Sequence, residues 1–151
     1  MSSPDLLREA LRELLYGPDG LHGLFSERGS GLLHTLHAFS YRQAITPSAL
    51  GRATPAQTVM HLRHALELGA AQLADPFALL TDTTDPWTWV PAGETAWRAE
   101  LVNLARAGQA LYDALYIPLT GETSRIAYGA VIHAATQEGA LRFHLLNLQV
   151  G

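Results

Sequence analysis

Apolar residues recur along the chain at intervals of three and four, with Gly or Pro between the runs. This is the pattern of amphipathic helices rather than strands. The first run, Leu6, Leu7, Leu11, Leu14 and Leu15, opens at Ser3-Pro4 and closes at Gly17-Pro18-Asp19-Gly20. The opening pairs a capping residue with a proline at the first helical position, where the missing N–H costs nothing. A second run, Leu32, Leu33, Leu36 and Phe39, predicts helix over 32–44 behind an interruption at Gly29-Ser30-Gly31. Thr54-Pro55 repeats the cap-and-proline start and predicts a helix over 54–74 carrying Val59, Leu62, Leu66, Leu68 and Leu73. The next is expected over 94–116, with Trp97, Leu101, Leu104, Leu111 and Leu115 as its stripe and Pro118 and Gly121 beyond its end. The last is expected over 124–148, where Ile126, Ala130, His133, Gln137, Leu141 and His144 share one broad face.

Between Asp75-Pro76 and the helix at 94 lies an irregular connection, 77–93, with Pro86, Pro91, Trp87 and Trp89. A loop of that length inside a compact domain is functional or docked, and two indoles favour docking over a buried surface. No segment alternates in the manner of a strand with hairpin signals. The expected fold class is all-α: a single domain over 1–151, a four-helix bundle with a long crossover between its second and third long helices.

Composition narrows the function classes. A chain of 151 residues, nearly half apolar, buries roughly 70% of its unfolded surface in one core. The net charge of −4 and ten scattered arginines offer no footprint for nucleic acid. Cysteine is absent, so a metal site would rest on His, carboxylate or amide ligands. The N-terminal residues do not read as a secretory signal, and the longest uncharged stretch, Ile126 to Gln137, is too short for a bilayer. A cytoplasmic protein without a membrane or nucleic-acid partner is expected.

Candidate chemistry rests on the seven histidines. Residues three or four apart share a helix face, which singles out His34/His37, His61/His64 and His133/Gln137. His34 and His37 read as the polar edge of a surface helix. On the second long helix Thr58, His61, Ala65 and Leu68 form the expected inward set, with His64 further round near Arg63 and Glu67 on the wetter side. His133 is surrounded by Val131, Ile132, Ala134 and Ala135, and a polar group left unpartnered there costs roughly 1–3 kcal/mol. Two readings follow. In the first, His61, His133 and Gln137 hydrogen-bond one another inside the bundle. In the second, they converge on a cavity that takes an ion or a small molecule.

These residues also resemble a family, the DinB-like superfamily of four-helix bundles. The likeness covers nearly the whole chain: Val59-Met60-His61-Leu62 on the second long helix, DPWTWVPAGETAW over 85–97, and His133-Ala-Ala-Thr-Gln137-Glu138-Gly139-Ala140 on the last. The family pattern on that last helix is His, three residues, His, any residue, Gly, Gln, so Gln137 stands where a second histidine is usual. The resemblance implies an up-down-down-up topology and three ligands for a divalent metal such as nickel or zinc. Here those ligands would be His61, His133 and Gln137, with His64, Trp89, Trp97 and Ala130 around the pocket. It further implies a metal-dependent hydrolase or a thiol-dependent transferase, a stress-related role and a homodimer. An amide oxygen is a weaker ligand than imidazole for borderline metals, and Glu138 does not compensate because it turns about 100° from Gln137. The alternative is a metal-free bundle that binds a small ligand or acts as a structural, stress-related protein.

Overall fold

The computed structural model describes residues 3–18, 23–24 and 31–150, and all regular structure among them is helical. The helices are α1 (Ser3–Tyr16), α2 (Leu32–His37), α3 (Tyr41–Ala44), α4 (Pro55–Ala74), α5 (Glu94–Ala114) and α6 (Gly121–Val150), with a 3₁₀ turn at Pro86–Thr88. Their ends follow from local chemistry. The Thr54 hydroxyl accepts the Gln57 N–H at 3.1 Å, and the Gln57 amide oxygen accepts the Thr54 N–H at 3.0 Å. This reciprocal cap, with Pro55 inside it, fixes the start of α4. The same device at Ser40 and Gln43 starts α3. It divides 32–44 into two short helices where one was expected, and Ser-x-x-Gln was the signal for it. At α6, Thr120 and Thr123 cap each other, which moves the helix start back to Gly121. The expected stop at Asp19-Gly20 and the interruption at Gly29-Ser30 lie outside the described residues.

α4 packs against α5 and α6, and α1 packs against the same two helices; among the described residues α1 does not meet α4, nor α5 meet α6. The four long helices therefore form a ring in the order α1, α5, α4, α6. Arg63 meets Glu100, and further along a methyl placed on Gly69 would stand 3.7 Å from Leu111 Cδ1, so α4 and α5 run in the same direction. α6 runs against α4, pairing His133 with His61 and Ala130 with Gly69. α1 runs against α5, because Arg8 Nη1 donates to the Leu115 carbonyl at 3.0 Å while Leu15 packs over Gly108. Gly31, at φ 119°, opens α2 in backbone space that L side chains avoid, and a Cβ there would meet the Gly17 nitrogen at 2.6 Å. The start of α2 is thereby seated on the end of α1.

The core joins Leu7, Leu11, Leu15, Leu32, Leu36, Val59, Leu62, Leu66, Trp97, Leu101, Leu104 and Leu111 across four helices. Several expected phases are corrected. Leu6 faces solvent. On α4 the buried line is Ala56, Val59, Leu62, Arg63, Leu66, Gly69 and Leu73, whereas Thr58, His61, Ala65 and Leu68 are only half-buried. Arg63 and His64 are buried rather than on the wetter side. On α6 the buried seam is Ala127, Val131, Ala134 and Leu141, and Ile126, Ala130, His133 and Gln137 flank it. Alanines let helices approach closely but mark their face weakly in a hydrophobicity pattern, which explains the error in phase. Among the described residues no helix is long and apolar enough to cross a membrane.

Candidate functional site

The flank position is what brings His61 and His133 together. Their rings meet edge to face with centroids 5.0 Å apart and an interplanar angle of 79°. Also against His61 lies the Trp87 indole, at 4.8 Å and tilted by 35°. Trp87 sits in the 3₁₀ turn of the crossover, which local polar bonds hold in place. Asp85 Oδ1 accepts the Trp87 N–H at 3.0 Å, and Gln57 Nε2 donates to the Trp87 carbonyl at 2.9 Å. Farther along, the Tyr41 hydroxyl donates to the Pro91 carbonyl at 2.8 Å. Trp89 is half-buried against the core. The crossover docks as its tryptophans predicted, and Trp87 is the one that packs against His61.

His133 Nε2 is buried and makes no hydrogen bond. The reading in which His61, His133 and Gln137 satisfy one another is therefore not what forms. Burial, then the nearby His133 and His64, pull the His61 pKa below its ordinary value, so His61 is neutral at neutral pH with a lone pair available. Gln137 is half-buried one turn beyond His133. Glu138 projects toward the other flank of α6. Its Oε1 is buried without a hydrogen bond, 3.5 Å from Arg142 Nε, and burial raises its pKa.

A second polar cluster adjoins this pair, and it was not anticipated. The Arg63 guanidinium is buried and donates to three carboxylates: Glu100 on α5, Glu67 at 3.0 Å on α4, and Asp82 at 3.0 Å on the crossover. Burial opposes the Arg63 charge, but these bonds outweigh it and raise its pKa. Hydrogen bonds from the Thr84 backbone and hydroxyl, then from Arg63, hold the Asp82 carboxyl well below the usual range. Burial pushes Glu100 up, with the hydrogen bond and charge of Arg63 working against that. His64 Nε2 stands 3.3 Å from Asp82 Oδ2, an ion-pair distance without hydrogen-bond alignment. In the sequence only the Arg63/Glu67 spacing hinted at this cluster, and that spacing is also common on solvated faces.

The remaining expected residues are placed as follows. Trp97 is wholly buried in the core, with its Nε1 unpartnered. Ala130 fills the α4–α6 contact at Gly69, where an added Cβ would be 3.2 Å away. His34 and His37 are exposed on α2, and His22 lies outside the described residues. His144 is buried edge-on against Phe39 at 5.6 Å. Gly139, within the same motif, has no neighbour within 4 Å of an added Cβ.

No family model, curated protein or solved structure matches this chain.

The donors can still be tested against a divalent metal. Two imidazoles that meet at 5.0 Å, one with an orphaned buried nitrogen, suit nickel or zinc. The third position offers only the amide of Gln137, and no group of three or more His, Cys, Asp or Glu with metal-binding placement occurs among the described residues. By donor chemistry two of the three expected residues suit such an ion, and the amide of the third is a weak donor.

Proposed function

We propose that the chain is a DinB-like bundle whose His61, His133 and Gln137 form a weakened divalent-metal centre serving a hydrolase or a thiol-dependent transferase. The ring order α1, α5, α4, α6, with α4 and α5 running the same way around a long crossover, supports the up-down-down-up topology of that reading. The observation that carries the site is the meeting of His61 with the unpartnered His133 under the Trp87 indole. A bound divalent ion would supply Lewis acidity toward a polar group of the substrate. The protein's own part is to present two imidazoles, to keep His61 neutral, and to exclude water with Trp87; Gln137 orients a polar group through its amide.

A second reading, a metal-free pocket for a small ligand, is favoured by the amide at position 137. Elemental analysis of the purified protein, with nickel and zinc titrations of the parent and of Gln137→His, separates the two. The weakened centre predicts low occupancy in the parent and at least about tenfold tighter binding in the variant, as expected when imidazole replaces an amide. A variant no tighter than the parent would falsify the convergence of the three residues. A stoichiometric ion retained by the parent would show that the centre is not weakened.

A further inference from the structure

Where α4 begins and α6 nears its end, a cleft of about 480 Å³ opens between the 48–55 segment and the turns of α6 around 140–147. Its size lies in the range of small-ligand pockets. The cleft is separate from the histidine pair but adjoins it: Thr58 in its wall is one turn before His61, and Leu141 is one turn after Gln137.

Three features give the cleft a chemical preference. Arg52 lines it, is exposed to solvent, and forms no ion pair among the described residues; no acidic side chain is among the described residues that line it. His144 also lines it, is 9% exposed, and has a buried Nε2 with no hydrogen-bond partner. An imidazole nitrogen enclosed without a partner leaves an unmet desolvation cost that a ligand atom can relieve. The α4 N-terminus, entering through Pro55, adds the positive end of a helix dipole to the same space. Apolar surface from Pro55, Leu141 and Phe143 completes the wall.

We propose that this cleft binds a small organic carboxylate, with Arg52 and the His144 imidazole meeting the carboxylate and Phe143, Leu141 and Pro55 holding the apolar body. One cation with no competing carboxylate selects an anion, and the apolar wall selects an organic body over a bare inorganic ion. The site is built from its own residues and does not depend on a metal at His61 and His133.

The test is an amide NMR titration of the full chain, as purified, with benzoate as the probe. Saturable shifts are expected at Ala53, Leu141 and Asn147. Benzamide, the neutral isostere, should bind at least about tenfold more weakly, and Arg52→Gln should weaken benzoate about tenfold, the usual scale for losing a charge-assisted bond. His144→Phe keeps a ring against Phe39 and removes the nitrogen, and it should also weaken benzoate several-fold. Should that variant not fold, the benzamide comparison and Arg52→Gln decide. Shifts that fail to saturate or that map outside the cleft overturn the proposal. So does undiminished binding by Arg52→Gln or by a folded His144→Phe, or inorganic phosphate binding as tightly as benzoate.

Discussion

Arg63 on α4 hydrogen-bonds Glu100 on α5 inside the bundle, and both side chains are almost wholly buried. The bond ties two helices that run in the same direction and therefore lack a short connecting turn to hold them. Removing one partner strands a buried charge, which costs about 3–5 kcal/mol, whereas replacing both by apolar groups of similar volume is often close to neutral. Arg63→Met, which leaves the buried Glu100 carboxylate without its partner, should accordingly lower unfolding free energy in urea by about 3–5 kcal/mol. The double variant Arg63→Met, Glu100→Leu should recover most of that loss. Equal losses in the single and double variants would mean that packing, not charge pairing, sets the effect.

Acid should destabilise the bundle through its histidines. Burial is the first cause that lowers the pKa of both His61 and His144 below 6.5. The unfolded chain then takes up protons that the folded chain refuses, so the stability is complete above 6.5 and is lost as pH falls from there through the folded values. Asp82, also depressed, contributes stability that disappears only at far lower pH. The raised carboxyls of Glu100 and Glu138 act with the opposite sign, so the histidine share must be isolated by substitution. Urea midpoints should fall between pH 7.5 and pH 5.5, and His61→Gln with His144→Gln should flatten that fall. An unchanged slope in the double variant contradicts the assignment.

The Trp87 indole of the crossover packs against the His61 ring at 4.8 Å. Trp87→Ala should let water reach the imidazole and move the His61 pKa back up toward 6.5, since burial is its leading cause. Following the His61 ring proton by NMR across pH gives the answer directly. A titration curve identical to the parent's would show that α6, rather than the crossover, sets the environment of His61.

Two glycines should respond in opposite directions. A methyl on Gly69 would already stand 3.2 Å from Ala130 Cβ, so Gly69→Val overfills the α4–α6 contact at a cost of about 1–3 kcal/mol. Gly139 lies mid-helix with open space around it, and Gly139→Ala should stabilise the fold by about 0.5–1 kcal/mol through helix propensity. Thermal unfolding of the two variants beside the parent checks both signs.

The long helices were legible because caps and spacing agree. Thr54-Pro55 marked the start of α4, and Trp97, Leu101, Leu104 and Leu111 marked its neighbour α5 as a core helix. The α2–α3 break was present in the letters of Ser40 and Gln43, but a capping box inside an apolar run was read as part of that run. For the site, the His61 motif and His133 indicated two rings that meet, while the rotation of α4 and α6 was misread. A seam of alanines and glycine carries little amphipathic signal, so the histidines were assigned to the buried face when they belong to its flank. Arg63–Glu100 was illegible for another reason: its partners are 37 residues apart, and no local spacing encodes a bond across a parallel helix pair.

The crossover is fastened by Asp82 to Arg63, by the Trp87 carbonyl to Gln57, and by Pro91 to Tyr41. None of these fastenings is a helix-to-helix contact. The turn that bears Trp87 can therefore detach in a local opening that leaves the bundle folded, with a free energy well below that of global unfolding. Hydrogen exchange at the 3₁₀ turn should then be orders of magnitude faster than in the middle of α5. Entry to His61 becomes a matter of how often one short segment lifts, a rate that can be tuned at Gln57 without disturbing either imidazole.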